Sequence, residues 1–278
     1  MSAVPLEDSA ADVVGKALRG KAQLPEGLAR SAGVSLERLR KILDGEPDSE
    51  VLRAIAPCLD LDADALETLA AGVAPPDISV PGLEMFTTAF GDIHVNSFLV
   101  WEAASGQALL FDTGADADPM LDFLTKHQLK TVGIFLTHSH GDHVFELDRL
   151  LEKTGAEAYL GDLEPELDGT TRFAAGRMWE FGHALRVESR LTCGHAAGGV
   201  TYVVAGLPRL VAVAGDAIFA SSMGGGIVSY ADALRTTRQE ILTLPPETVI
   251  APGHGPLTTV GREMAGNPFF ARRHAATA

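Results

Sequence analysis

Hydrophobic and polar residues follow two different spacings along the chain, and the first is helical. Between about residues 8 and 72, apolar side chains recur at the spacing of an α-helix, most clearly at Leu28, Ala29, Ala32, Val34, Leu36, Leu39, Ile42 and Leu43. Ser35 is placed to cap the helix that follows it, and further helices are predicted over residues 51–59 and 63–70. This part of the chain is therefore predicted to be a small all-α unit.

From about residue 84 the apolar residues take the spacing of β-strands. Strands are predicted over residues 84–90, 93–101, 107–111, 131–136, 156–160, 185–191, 201–204, 210–214 and 248–251. Helices are predicted over 116–127, 143–153 and 231–242, and an irregular segment over 161–182. Two runs of strands with interspersed helices predict an α/β sandwich of two sheets flanked by helices.

A segment rich in proline and glycine separates the two patterns. The run Gly72-Val73-Ala74-Pro75-Pro76-Asp77 ends the helices and stiffens the chain. We therefore predict a helical domain over residues 1–72, a linker over 73–82 and an α/β domain over 83–278.

Composition adds limits on partners and location. The chain has 278 residues, 46% of them hydrophobic, and a net charge of −15, which disfavours broad binding to nucleic acid or to an anionic membrane. Two cysteines give no disulfide framework. No secretory signal is visible and no apolar run reaches the ~18 residues that span a membrane, so neither a signal nor a membrane span is expected. A cytoplasmic location is expected, and self-association stays open.

Three histidines and a carboxylate lie within six residues, at the end of the predicted strand 131–136. They are His138, His140, Asp142 and His143. Such a cluster is typical of a site that holds a cation, and imidazole and carboxylate groups bind zinc, iron and manganese. Three later strands also end in such a group, at His195, Asp216 and His254. Asp112 and Asn96 on earlier strands fit supporting positions, although Asp112 also fits a residue that caps a turn.

Residues 83–270 resemble the metallo-β-lactamase fold hydrolases, in particular a short glyoxalase II-like type without a C-terminal helical domain. Thr-His-Ser-His-Gly-Asp-His at 137–143, His195, Asp216 and the segment Pro252-Gly253-His254 carry the resemblance. It implies a four-layer αβ/βα sandwich with two divalent metal ions, zinc first, with iron or manganese as alternatives. One ion would be held by His138, His140 and His195, the other by Asp142, His143 and His254, with Asp216 bridging them.

The same resemblance implies the chemistry of a small-molecule thioester hydrolase of the hydroxyacylglutathione type. A metal-bound hydroxide would attack the carbonyl carbon, and Asp142 would also orient the hydroxide. Asp112 would accept a hydrogen bond from the N–H of a ligand histidine. The loop Met223-Gly224-Gly225 would border the substrate. Gly225 stands where many glyoxalase II sequences carry a cation for glutathione, and Arg172, Arg177 and Arg262 are candidate replacements for that cation. A mono-iron persulfide dioxygenase is the alternative, and a bridging Asp216 disfavours β-lactam hydrolysis.

The helical part resembles the helix-turn-helix domain of the Xre/Cro-repressor type. Leu28-Ala29, Gly33-Val34-Ser35, Leu39, Ile42 and Gly45 carry this resemblance, which implies DNA binding through Arg38, Arg40 and Lys41. Residues 1–72, however, contain 8 basic and 13 acidic residues, a net charge of −5. A docking or dimerisation module is therefore favoured over DNA binding, and a DNA-binding regulator with a ligand-sensing metal domain stays open.

Overall fold

The helical part of the chain forms a compact unit in the computed structural model, which describes residues 4–73 and 75–271. Its helices are α1 (Ala10–Gly20), α2 (Pro25–Ala32), α3 (Leu36–Leu43), α4 (Ser49–Ile55) and α5 (Ala63–Ala70), with a 3₁₀ turn at Ala56–Leu59. The Ser35 hydroxyl accepts a hydrogen bond from the backbone N–H of Arg38, so Ser35 caps α3 as predicted. Gly33 ends α2 with φ of 68°, a conformation that favours glycine.

The remainder is a sandwich of two six-stranded sheets. The first sheet has the order β1 (Leu83–Phe90), β2 (Ile93–Glu102), β3 (Gln107–Phe111), β4 (Lys130–Phe135), β5 (Ala158–Gly161) and β6 (Thr170–Phe173). The second has the order β12 (Thr258–Thr259), β11 (Val249–Pro252), β10 (Val211–Gly215), β9 (Val200–Ala205), β8 (Leu185–Leu191) and β7 (Met178–Phe181).

The α-helices of this part of the chain are α6 (Asp118–His127), α7 (Gly141–Val144), α8 (Leu147–Thr154), α9 (Tyr230–Thr236) and α10 (Val260–Gly266). Helices α6 and α8 pack on the outer face of the first sheet, and α9 and α10 on the outer face of the second. Between the sheets, buried aromatic rings meet, with Phe135 5.3 Å from Phe111 and 5.2 Å from Tyr202 between ring centroids. The predicted α/β sandwich with a preceding helical unit is therefore confirmed.

Two local predictions were wrong. The helix predicted over 143–153 is divided into α7 and α8, because the carbonyl of His143 accepts the N–H of Thr113 at 2.8 Å instead of continuing the helix. The segment predicted to be irregular, 161–182, contains the strands β6 and β7. Each has only four residues at a sheet edge, too few to show a clear alternation.

The helical unit packs directly on the sandwich. Val13, Leu66 and other buried side chains of the helices share one apolar cluster with Ile218 and Met223 of the sandwich. The N–H of Asp62 donates to the carbonyl of Pro268 at 2.8 Å. The predicted linker over 73–82 includes Ala74, which lies outside the described residues, and the domain division stays a prediction. Within residues 4–73 and 75–271, no helix has the length and apolar character needed to cross a membrane.

Candidate metal centre

All seven predicted ligands lie at one edge of the sandwich, for a reason of strand direction. The ligands of residues 138–143 follow β4, His195 follows β8, Asp216 follows β10 and His254 follows β11. Strands β10 and β11 are parallel. Strands β8 and β10 are both antiparallel to β9, which lies between them, so β8 runs in the same direction as β10 and β11. The carboxyl ends of these strands therefore open on the same side, where their loops meet.

Three imidazole nitrogens form the first group. The Nδ1 atom of His140 lies 3.0 Å from Nε2 of His138 and 3.0 Å from Nε2 of His195. His138 is 2% exposed. These separations suit three ligands that point at a common centre, as in tetrahedral zinc sites.

A second group lies beside the first, and Asp216 lies between them. The Oδ2 atom of Asp142 is 3.6 Å from Nε2 of His143 and 3.3 Å from Nε2 of His254. Asp216 places Oδ1 3.3 Å from His143 Nε2, and Oδ2 3.3 Å from His195 Nε2 and 3.5 Å from His254 Nε2. The carboxylate of Asp216 thus faces both groups, as a bridging ligand would.

The residues fit a pair of cations. The sets His138–His140–His195, His138–His143–Asp216 and Asp142–His143–His254 each hold their ligand atoms within 4.8 Å of one another. Among the described residues, His143 Nε2 and Asp216 Oδ1 are buried without an aligned hydrogen-bond partner. Leaving a buried polar atom unpaired costs about 1–3 kcal/mol, and a bound cation would remove that cost.

The far nitrogens of the ring ligands are held by hydrogen bonds that orient the rings. His143 Nδ1 donates to Asp112 Oδ2 at 2.8 Å, His195 Nδ1 to the carbonyl of Gly225 at 2.9 Å, and His254 Nδ1 to the carbonyl of His94 at 2.6 Å. These bonds leave the other ring nitrogen, Nε2, facing the centre.

The charged groups in the centre shift one another's pKa values. Burial lowers the pKa of His143, but the carboxylates of Asp112 and Asp216 outweigh it and raise the pKa to about 10. Burial likewise lowers the pKa of His254, and hydrogen bonds to Asp142 and Asp216 outweigh it and raise the pKa to about 11. Burial raises the pKa of Asp216, but His143 and His254 hold it well below its usual range. The centre is therefore a concentrated anionic site for any cation.

Asp112 joins a predicted ligand to the loop that precedes it. Besides accepting from His143, its carboxylate accepts the backbone N–H of Thr137 at 2.7 Å and the Thr137 hydroxyl at 2.8 Å. Its φ of 54° is in the left-handed region, which aspartate tolerates better than most residues. Asp112 thereby ties the end of β3 to the loop that carries four of the ligands.

Asn96 supports the loop that carries His254. Its amide donates to the carbonyls of Pro252 at 3.0 Å and Gly255 at 2.8 Å. Within this loop a Cβ at Gly253 would lie 2.2 Å from Asp216 Oδ1, so only glycine fits.

Glu164 is a supporting residue that sequence reasoning missed. Its buried carboxylate accepts the N–H of Ser139 at 2.9 Å, the Ser139 hydroxyl at 2.6 Å and the N–H of Gly198 at 2.6 Å. These bonds join the loop of His138 and His140 to the loop of His195. Glu164 stands 25 and 34 residues from its partners in a segment without a recognisable motif, so no local signal pointed to it.

The predicted substrate loop contacts the centre mainly through its backbone. The carbonyl of Gly225 accepts from His195, and a Cβ at Gly224 would overlap the carbonyl of Asp216. The side chain of Met223 is 1% exposed and packs in the cluster shared with the helical unit. The packing of Met223 therefore disfavours contact between its side chain and a substrate. The exposed side chains that follow in the chain are Ile227 and Val228.

Comparisons with known proteins agree with this arrangement. A family model described as the Metallo-beta-lactamase superfamily matches residues 90–254. A probable metallo-hydrolase of Bacillus subtilis, YqgX, is 29% identical over 204 residues, covering 65% of this chain and 94% of that protein. A probable metallo-hydrolase of Streptococcus pyogenes is 30% identical over 188 residues, covering 58% and 80%. The matched family range begins after the helical unit, so the helix-turn-helix resemblance stays a prediction.

Solved structures give the same picture. The BLEG-1 B3 metallo-beta-lactamase is 29% identical with a TM-score of 0.57, covering 68% of this chain and all of that one. TTHA1623, solved in a di-iron-bound form, is 26% identical with a TM-score of 0.54, covering 66% and 100%. ETHE1 from Myxococcus xanthus, at 23% identity and a TM-score of 0.58, shares the fold.

Proposed function

Because the chain belongs to the metallo-beta-lactamase superfamily and resembles metallo-hydrolases, we propose that it uses two divalent metal ions to hydrolyse a thioester or a related ester. The observation that carries the proposal is the position of Asp216, whose two carboxylate oxygens face the two ligand groups. One group alone would suit a single ion. Two groups joined by a carboxylate suit a pair.

When bound, such ions act as Lewis acids and lower the pKa of water to about 7. The side chains then have separate tasks. Of the two candidate ligand carboxylates, Asp142 is more exposed than Asp216, with 14% of its side chain accessible against 9%. It can accept a hydrogen bond from an attacking water and orient that water toward a carbonyl carbon. Asp112 and Asn96 hold His143 and the His254 loop in place while this happens.

A thioester is favoured as substrate because a thiolate leaves readily without an acid. The described residues of the centre include no group placed as a general acid for a poor leaving group, since His143 and His254 point Nε2 at the carboxylates. The resemblance of the motif at 137–143 to glyoxalase II-like enzymes supports the same class.

Zinc and iron are the two candidate metals for the centre. Zinc suits the imidazole and carboxylate ligands, and the di-iron form of TTHA1623 makes iron the second candidate. A mono-iron persulfide dioxygenase remains the alternative from a different reaction class. It would show one iron per chain and oxygen uptake with a persulfide, whereas the hydrolase would show two ions and no oxygen uptake.

A β-lactamase activity is a second candidate function, because BLEG-1 is 29% identical and aligned over its whole length. The bridging position of Asp216 favours the thioester. Protein loaded with zinc or iron should be tested on an acyl thioester panel and on a chromogenic cephalosporin. Hydrolysis of a thioester with no cephalosporin turnover supports the proposal, and the reverse result replaces it with the second candidate.

We expect the helical unit to bind DNA weakly or not at all. The cations of α3 are paired with acids: Arg38 with Asp48 and Glu50, Arg40 with Glu26, and Lys41 with Glu37. A phosphate backbone would have to break these pairs. A gel shift with the full chain at low and high salt tests this, and a salt-dependent shift would restore the regulator hypothesis. The cytoplasmic location and self-association stay predictions.

A further inference from the structure

Exposed apolar side chains collect around the metal centre. Among residues 4–73 and 75–271, eight large apolar side chains are exposed, and five of them are on segments that hold or contact the ligands. We call these five the apolar rim: Ile93, Phe145, Leu163, Ile227 and Val228. Apolar surface grouped in this way around a polar centre is typical of a substrate site.

One side of the rim lies beside the second ligand group. Phe145 directly follows α7, which carries Asp142 and His143, and is 61% exposed. Its ring meets Phe90 edge-on at 5.5 Å between centroids. Phe90 pairs with Ile93 across the β1–β2 turn, next to the carbonyl of His94 that holds His254.

The other side of the rim lies beside the first ligand group. The N–H of Val228 donates to the carbonyl of Gly194 at 3.0 Å, next to His195. The N–H of Ile227 donates to the carbonyl of Gly225 at 2.8 Å, the same carbonyl that orients His195. Leu163 packs on Gly198, where a Cβ would lie 2.8 Å from Leu163 Cβ.

The segment before α1 places a carboxylate beside the loop of His254. Glu7, in the segment before α1, lies against the loop of His254, since a Cβ at Gly255 would be 3.1 Å from Glu7 N and 3.4 Å from Glu7 Cβ. Its half-buried carboxylate is within electrostatic reach of His254 and Asp216.

The segment that carries Glu7 is fixed in place. The next residue, Asp8, is 9% exposed, accepts the Ser222 hydroxyl at 2.5 Å and forms an ion pair with Lys16. Lys16 also donates to the carbonyl of Met223 at 2.8 Å and lies 5.0 Å from the centre of the Phe219 ring. Phe219 in turn packs on His254. Hydrogen bonds and packing contacts therefore hold the helical unit against the loops of the centre.

Two of the three arginines that are candidates for binding an anion, Arg172 and Arg177, contact other groups. Arg172 donates to the backbone carbonyls of Glu164 and Pro165. Arg177 lies over the rings of Tyr159 and Trp179 at 5.5 and 4.9 Å. Lys16 is satisfied by Asp8 and Met223. The position equivalent to a glutathione-binding cation is Gly225.

We propose that the site selects thioesters with an apolar acyl group and an uncharged or cationic thiol carrier, and that Glu7 of the N-terminal segment disfavours anionic carriers such as glutathione. This inference rests on the proposed thioester hydrolase. The rim would receive the acyl chain, and Glu7 would repel a carboxylate on the carrier side. The helical unit would thereby determine specificity as a wall of the site.

The experiment compares three carriers with one acyl group: butyryl-N-acetylcysteamine, butyrylthiocholine and S-butyrylglutathione. Wild-type kcat/KM should be highest for the neutral or cationic carrier. Glu7→Gln should improve the glutathione ester relative to the thiocholine ester by about 5-fold, and Glu7→Lys should improve it further, since the charge acts at close range. Glu37→Gln, an exposed acid on α3, is the matched control and should leave the ratio unchanged.

The acyl chain is tested separately. With acetyl, butyryl and hexanoyl N-acetylcysteamine thioesters, kcat/KM should rise about 2- to 4-fold per methylene. Phe145→Ser should flatten the series, whereas Met178→Ser, which changes a similarly exposed side chain on the edge strand β7, should not. Calorimetric binding of the uncleavable S-butyl thioethers of the neutral carrier and of glutathione should follow the same carrier order.

The outcomes are separable. Thioester hydrolysis with a preference for glutathione, or a carrier ratio unchanged in Glu7→Gln and Glu7→Lys, overturns this inference and leaves the proposed function standing. If no thioester is hydrolysed by the metal-loaded chain, both proposals fall.

Discussion

Polar side chains at the metal centre and in the helical unit differ in burial and in hydrogen-bond partners. At the centre, His143 Nε2 and Asp216 Oδ1 are buried without an aligned partner. In the helical unit, Asp48 caps α4, pairs with Arg38 and remains partly exposed. The first arrangement costs free energy unless a cation is bound, whereas the second contributes at most about 1 kcal/mol and needs no ligand.

This difference separates the two family resemblances. Both parts of the chain resemble a motif that has charged residues at expected positions. Only in the ligand loops does the fold bury those residues together and leave their atoms facing a common point. In α3 the basic residues of the motif are neutralised by neighbouring acids on the surface. Burial and partners therefore discriminate between two motifs that the sequence alone presents on equal terms.

The largest effect is expected from removing a ligand. His140→Ala should lower kcat/KM by roughly three orders of magnitude and reduce the bound metal, because Lewis-acid stabilisation is worth several kcal/mol. His183→Ala, in the turn between β7 and β8, is the control and should behave as wild type. Full activity in His140→Ala would remove the contrast between the two regions.

The next effect concerns the junction of the two regions. Lys16→Met leaves the buried Asp8 carboxylate without its cation and should lower the free energy of unfolding by about 3 kcal/mol in urea titrations. Lys21→Met, which removes a more exposed pair with Asp60, should cost less than about 1 kcal/mol. Equal losses in both variants would show that the helical unit is not fastened as inferred.

A smaller effect is expected from Asp112→Asn. The variant keeps the shape and tolerates the left-handed backbone, but it loses the charge that orients His143. Metal affinity, measured by competition with a chromophoric chelator, should fall about 10- to 100-fold. Asp116→Asn, in the exposed loop before α6, should leave the affinity unchanged, and an unaffected Asp112→Asn would reduce Asp112 to a turn-capping residue.

The smallest effect is pH-dependent and lies near the junction. Burial raises the pKa of Glu263 to about 6, although hydrogen bonds from Thr258, Asn267 and Ser221 oppose the rise. A raised carboxyl pKa favours the folded state below about pH 4.5, and that stability is lost as pH rises through 6. The loss amounts to at most about 2 kcal/mol. Urea titrations with chelator at pH 5 and pH 7 should show this decline relative to Glu263→Gln, and parallel pH profiles would contradict it.

The sequence predicts the seven candidate ligands but not the residues that support them. The candidates could be recognised because they follow predicted strands and because four of them lie within six residues. Glu164 and Glu7 could not, because their partners are remote in sequence and no spacing rule joins a carboxylate to backbone N–H groups or glycines of another loop. The division of the helix at Phe145 also escaped prediction, because the cause is the N–H of Thr113, which takes the carbonyl of His143.

The most direct test of the paired-ion centre is the metal content of the purified chain, measured by mass spectrometry alongside thioester turnover. We expect two zinc or iron ions per wild-type chain, about one in His254→Ala, and loss of turnover when a chelator removes the metal. One ion or fewer per fully active chain, or turnover that persists without metal, would contradict the account.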